Sequence, residues 1–313
     1  MSGPTFRTLD EVEYGRVDQV APSIRRVIAE NPSKFTYRGT GTYLVGHGDV
    51  VVIDPGPRLD SHRDALAAAL AGERVRGILV THCHADHSPL ARWLAAETGA
   101  PTFGFGPHPR PDPVLEPEPD DPDADTVIEE STDHDFMPDH ATVHGEVLEL
   151  APGVAVEAVH TPGHTSNHMC WAMRLDGLRV LFSGDHVMGW STTVVSPPDG
   201  DMATYLESLR LVIDRADDVL WPTHGPARDD VVEYVAALVE HRLAREAAVL
   251  DAVRSGIATI PEIVAVLYAD VREELHKPAG RSVWAHLVHL ADEGEVEVEG
   301  SGLARLDARY RPI

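Results

Sequence analysis

Four side chains able to hold a metal ion crowd into six positions. They are His82, His84, Asp86 and His87, within Thr81-His82-Cys83-His84-Ala85-Asp86-His87. Neutral imidazole and carboxylate suit zinc and similar borderline ions, and this group exceeds what one tetrahedral ion takes while a position stays open for water. The cluster therefore points to two ions. Three more candidates follow: His164 in Thr161-Pro162-Gly163-His164-Thr165, Asp185 in Ser183-Gly184-Asp185-His186, and His224 in Pro222-Thr223-His224-Gly225. The chain carries 18 His, so accidental neighbours must be weighed. His168 reads as packing beneath the ligands, His186 as either substrate-facing or outer, and His134, His140 and His144 as solvated. Cys83, flanked by ligands, is expected to point away and pack, and Cys170 to lie in the core.

Such residues must be delivered by buried strands and short loops. Apolar runs at 42–45 and 50–53, around Gly46-His47-Gly48-Asp49, predict a hairpin whose second strand ends at Asp54-Pro55-Gly56. A helix over 60–71, a strand over 77–80 and a helix over 89–98 continue in βαβα order. Strands near 154–159, 169–174 and 179–182, a helix near 202–214 and a strand at 219–221 follow. The mixture predicts an α/β (α+β) fold with helix-covered sheets, and the candidate ligands fall where strands end.

Composition narrows the function classes. No apolar run approaches the ~20 residues of a membrane span, and Met1 to Asp10 lacks a basic stretch followed by an apolar core. Cytoplasmic residence without membrane contact is the expectation. Two cysteines are too few for a disulfide framework. A net charge of -25 repels polyanions and argues against broad electrostatic capture of nucleic acid.

Between Arg110 and His140 the chain is rich in Pro, Asp and Glu without apolar periodicity, which reads as an acidic surface insertion at about 108–142. A long helical pattern over 229–255 then leads into a tail of different character. The expected division is a catalytic domain over 1–240 and a C-terminal domain over 241–313. In the tail, Thr259-Ile260-Pro261-Glu262 is a capping box opening a helix to about Leu267. A helix over 282–292 follows, then an alternating strand at 295–299, a turn at 300–302 and a returning strand at 303–306. Helices followed by a hairpin predict a small winged helix.

The motifs, in their order, resemble the metallo-β-lactamase superfamily, whose first motif reads His-x-His-x-Asp-His; the match spans roughly Thr40 to Gly225. The resemblance implies an αββα sandwich with His82, His84 and His164 on one ion, Asp86, His87 and His224 on the other, and Asp185 bridging. Asp54 would orient a ligand from outside, with His186 and Thr192 as outer or substrate-facing positions. Within the superfamily the chain is most similar to the β-lactamase-like protein 2 group, which adds a C-terminal winged helix. The residues are Gly184-Asp185-His186-Val187-Met188-Gly189, Thr192-Thr193-Val194-Val195, Pro197-Pro198-Asp199-Gly200-Asp201-Met202 and Ala285-His286-Leu287. It departs from that group in the long acidic insertion, in Thr223 where Gly is usual, and in Gly41 where Asn is frequent.

The implied chemistry is hydrolysis by a metal-bound hydroxide, with two zinc ions the default, manganese or iron the alternatives, and Asp86 or Asp185 taking the proton. His84 stands where the iron redox branch usually has Glu, and Asp185 where true β-lactamases typically have Cys, so neither chemistry is favoured. A small ester, thioester or lactone is the first expectation, with Lys277 and Arg281 available to an anionic substrate. Single-stranded RNA is the second, motivated by the resemblance and weakened by charge. Regulation through duplex DNA ranks third, because the helix with Arg281, His286 and His289 also carries Asp292 and Glu293 beside a Glu-rich wing. Oligomeric state is left open.

Overall fold

The computed structural model describes residues 3–9, 11–109, 131–300 and 302–313. Seven strands form the first sheet in sequence order: β1 (Val17–Ala21), β2 (Ile24–Ile28), β3 (Gly41–Val45), β4 (Asp49–Ile53), β5 (Arg74–Leu79), β6 (Thr102–Gly104) and β7 (His140–Ala141). The expected hairpin is β3–β4, paired antiparallel with Tyr43 opposite Ile53. From β4 onward the pairing is parallel, because α1 (Asp60–Ala69) and α2 (Ala91–Thr98) carry the chain back between strands. The second sheet runs β12 (Val219–Pro222), β11 (Leu178–Gly184), β10 (Met169–Leu175), β9 (Val154–His160), β8 (Val147–Ala151).

Side chains alternate across each strand, so one strand feeds two cores. Tyr43, Val45, Val51 and Ile53 point between the sheets, where they meet Val156, Ala158, Met169, Trp171 and Phe182. Leu44, Val50 and Val52 face outward against Leu66 of α1 and Leu94 of α2. On the far side, Cys170, Ala172 and Leu181 pack on α3 (Met202–Arg215) and on the first half of α4 (Val231–Arg254). The layers are helix, sheet, sheet, helix, which is the expected αββα sandwich.

The C-terminal core joins Val249 and Val253 of α4 to α5 (Ile260–Leu267), α6 (His276–Asp292), β13 (Val296–Val298) and β14 (Tyr310–Pro312). The capping box closes through Glu262, whose Oε2 accepts from the Thr259 backbone N–H at 3.1 Å and from its hydroxyl at 2.7 Å. Two expectations are corrected here. The returning strand is β14, not 303–306: Leu303 and Leu306 are exposed, whereas Tyr310 is buried and pairing Val298 with Tyr310 completes the small core. The second helix also starts a turn and a half earlier than Ser282, because Ala279 and Gly280 pack inward.

The insertion lies mostly outside the described residues, over 110–130. Its return, 131–142, does not read as a free surface excursion. Phe136 is buried against the α1–α2 core, the Ala85 N–H donates to Ser131 O at 2.9 Å, and Asp133 N donates to Cys83 O. Backbone pairing, invisible to composition, ties this segment to the ligand loop. Strands β1, β2, β6, β7 and β8 were not anticipated; they are short or carry polar residues on one face.

Candidate metal centre

The site lies beyond the carboxyl ends of β4, β5, β9, β11 and β12, where a sheet presents loops to a ligand. Asp54 directly follows β4 with φ 48°, a left-handed conformation costly for a non-glycine residue. Its carboxylate accepts the Thr81 backbone N–H and hydroxyl, both at 2.8 Å, and the Thr223 hydroxyl at 3.1 Å. Asp54 therefore ties the first ligand loop to the last. Two glycines permit the remaining turns. Gly163 (φ 133°) lies where a Cβ would meet Tyr205 Cα at 2.3 Å, and Gly184 (φ 52°) lies against His168 Nε2.

All seven candidate ligands meet in this space. His82 Nε2 lies 2.9 Å from His84 Nδ1, and His164 Nε2 lies 3.2 Å from the same atom. Three imidazole nitrogens thus converge on one point. Burial, reinforced by the neighbouring histidines, holds His82 and His84 well below the ordinary histidine pKa, so both present lone pairs. Beside them, His87 Nε2 and His224 Nε2 lie 3.3 and 3.2 Å from Asp86 Oδ2. Asp185 Oδ2 stands between the two groups, 3.6 Å from His87 Nε2, 3.4 Å from His224 Nε2 and 3.9 Å from His164 Nε2.

The second group carries its charge differently. Burial opposes protonation of His87 and His224, but Asp86 and Asp185 outweigh it: His87 is raised well above its ordinary value and His224 to about 10. Burial likewise opposes ionisation of Asp185, and His224 and His87 overcome it, holding the carboxyl well below the usual range. The two carboxylates thus favour positive charge at this point, the place that a divalent cation would take. The donor set fits such ions on two counts. His87 Nε2 and Asp185 Oδ1 are buried with no hydrogen-bond partner among the described residues, an arrangement that is costly unless something else satisfies them. Triplets of one ligand atom each from His82, His84 and His164, and from Asp86, His87 and His224, lie within 4.8 Å of one another.

The outer nitrogens are also engaged, as metal-binding imidazoles require. His87 Nδ1 faces Asp54 Oδ2 at 2.9 Å, His164 Nδ1 faces Val194 O at 2.6 Å, and His224 Nδ1 faces Gly39 O at 3.2 Å. The Thr40 hydroxyl donates to Asp86 Oδ2 at 2.7 Å. His168 sits beneath, its Nε2 accepting the Asp185 N–H at 3.2 Å. His186 is fully buried against Tyr205. Thr192 makes no such contact; its neighbour Thr193 donates its hydroxyl to Asp185 O at 2.7 Å and to His186 O at 3.0 Å. Cys83 and Cys170 are buried free thiols, their pKa pushed up to about 12 by burial.

A cavity of about 180 Å³ opens over the ligands. Phe35, Met188, Val194, Pro197 and Pro198 give it apolar walls, while His108 and Arg281 add polar ones. Arg281 comes from α6, so the C-terminal domain shapes the pocket, and its Nη1 donates to Ser196 Oγ at 3.2 Å. Sequence reasoning missed Thr40, Val194, Thr193 and His108. Thr40 opens the stretch over which the family resemblance runs but belongs to none of its quoted motifs, and backbone acceptors such as Val194 O carry no residue-type signal.

The family model described as the metallo-beta-lactamase superfamily matches residues 37–224, over half of the chain. The chain belongs to the metallo-beta-lactamase superfamily. A second model, the beta-lactamase associated winged helix domain, matches residues 259–305. This superfamily hydrolase is 30% identical over 300 residues to a Drosophila melanogaster protein named beta-lactamase-like protein 2 homolog, covering 91% of this chain and 93% of that one. It is 29% identical over 298 residues to an Aspergillus chevalieri protein named atrochrysone carboxyl ACP thioesterase, covering 91% and 86%. Its fold is shared with a beta-lactamase domain protein from Burkholderia ambifaria at TM-score 0.73 and 22% identity, covering 96% and 94%. A metallo-beta-lactamase family protein from Thermus thermophilus gives TM-score 0.71 at 24% identity, covering 94% and 100%. No helix among the described residues is long and apolar enough to cross a membrane.

Proposed function

We propose that this superfamily hydrolase holds two divalent ions, zinc by default and manganese or iron as alternatives, and cleaves a small thioester or comparable ester or lactone. The observation that carries the reading is the convergence of seven His and Asp ligands at the floor of a mostly apolar pocket. His82, His84 and His164 would hold one ion, Asp86, His87 and His224 the other, with Asp185 between. Bound there, such ions supply Lewis acidity for the carbonyl oxygen and bring the pKa of a water toward ~7.

The chain's own groups do the rest. Phe35, Pro197 and Pro198 bind the acyl group and exclude water from it. Arg281 offers a cation to an acidic acyl chain or to an anionic carrier arm. The carboxylates of Asp86 and Asp185 face the pocket and accept the proton that the attacking water gives up. Thr40 fixes Asp86 for that role through its hydroxyl. A thiolate leaves without help from an acid, which suits a pocket whose nearby histidines His82 and His84 are held neutral by burial. Thioesterase-named relatives support this preference, whereas a charge of -25 with lysine only at Lys34 and Lys277 weighs against an RNA substrate.

The test is a rate screen of the zinc-, manganese- and iron-loaded protein over acyl thioesters, lactones, phosphodiesters and single-stranded oligoribonucleotides. Metal-dependent thioester or lactone cleavage is expected. Cleavage of RNA alone would overturn the small-molecule reading, and no metal dependence at all would overturn the ligand assignment.

A further inference from the structure

Arg242 lies midway along α4 and is only 4% exposed. No carboxylate stands within ion-pair distance of it among the described residues, so the burial of its charge is not offset by a salt bridge. Its guanidinium instead donates to the backbone carbonyl of Thr193 and, at 3.5 Å, to Ser282 Oγ on α6. It also lies 5.4 Å from the centre of the Tyr205 ring. The same segment is tied at several points: the Thr193 hydroxyl to Asp185 O and His186 O, and the Tyr205 hydroxyl to His186 O at 3.1 Å. The next carbonyl, Val194 O, accepts from His164. One buried cation therefore sits under a ten-residue stretch whose first residue is Asp185 and whose last orients His164.

We infer that Arg242 is a positioning residue: it clamps segment 185–194 so that Asp185 and His164 meet the metals, and α6 of the C-terminal domain completes the clamp through Ser282. This inference rests on the metal reading above. An apolar side chain of similar length would fill the space at lower desolvation cost, but would leave the Thr193 carbonyl without its donor and the segment free to shift. The winged helix then acts as a structural partner of the catalytic loop in addition to lining the pocket.

The test uses the full chain with Arg242→Met, Arg242→Lys and Arg242→Gln. Zinc affinity is read by competition with a chromophoric chelator, and ligand geometry by the visible bands of the cobalt-substituted protein. Arg242→Met is expected to weaken zinc binding about 10- to 100-fold, the range for lost outer partners of metal ligands. Its cobalt bands should change, and kcat should fall. Arg242→Lys should recover part of the loss, and Arg242→Gln, a neutral side chain too short to keep the bond to the Thr193 carbonyl, should repeat it. A melting temperature that drops while zinc affinity and cobalt bands stay unchanged would reduce Arg242 to a packing residue. If Arg242→Met fails to fold, unchanged zinc affinity and cobalt bands in Arg242→Gln overturn the inference by themselves. A wild-type chain that binds no zinc refutes the metal reading, an outcome distinct from either of these.

Discussion

His87 and His224 are held above the ordinary histidine pKa by Asp86 and Asp185, whereas burial holds His82 and His84 below it, and this difference has measurable consequences. In the metal-free protein their raised pKa values stabilise the fold below the unfolded histidine value of about 6.5, and that contribution is lost as pH rises through the folded value, about 10 for His224. Loading the Asp86–His87–His224 group at neutral pH must expel these protons. The His82–His84 side needs no such release. Titration calorimetry of zinc in buffers of different ionisation enthalpy should therefore show two events, the later one releasing more protons than the earlier and tightening more steeply as pH rises. Equal proton release in both events would contradict the assignment. Asp185→Asn should lower metal content and hydrolysis together; normal activity in that variant would remove Asp185 from between the ions. Asp54→Ala, which strips His87 of its outer partner, is expected to cost about 10- to 100-fold in metal affinity, measured by the same competition with a chelator. These residues were legible in the sequence because short motifs of His and Asp at strand ends have few structural explanations. Thr193 and the Val194 carbonyl were not, because a hydroxyl or a backbone oxygen acquires its role only when the chain brings it to a ligand.

Among the elements, the loop between β9 and β10 depends on Gly163 as much as on His164. A methyl group at Gly163 would press on the Tyr205 backbone at the start of α3 and impose a backbone conformation that alanine rarely adopts. Gly163→Ala should destabilise by roughly 1–3 kcal/mol or more and weaken metal binding, as thermal melts of the metal-free and zinc-loaded protein would reveal; an unchanged melting temperature in both states would show that the turn yields. The hairpin β3–β4 and the helices α1 and α2 were readable because their apolar periods are clean and their breaks carry Gly, Pro or Asp. The wing was misread for a physical reason. Leu303 to Leu306 directly follows the Gly-Ser-Gly turn, where a returning strand is expected, yet the strand that pairs with β13 is chosen by the burial of Tyr310, a contact with no local signature. Short strands such as β6 and β7 owe their existence to neighbours already in the sheet, and single-sequence patterns do not contain those neighbours.

At the scale of the molecule, α4 joins two cores: Val231, Tyr234 and Val235 pack on the sandwich, while Val249 and Val253 pack on the C-terminal unit. With the winged helix used in this way, and a net charge of -25, electrostatic binding to nucleic acid is expected to be absent. Gel-shift assays at low salt should show no complex with duplex DNA, and tight salt-sensitive binding would reverse the reading of α6. The metal pair is the claim on which the rest depends. Anomalous diffraction at the zinc edge from zinc-loaded crystals tests it directly. The account predicts one peak among His82, His84 and His164 and a second among Asp86, His87 and His224, with Asp185 between them. Density without either peak, or with these side chains turned apart, would contradict it.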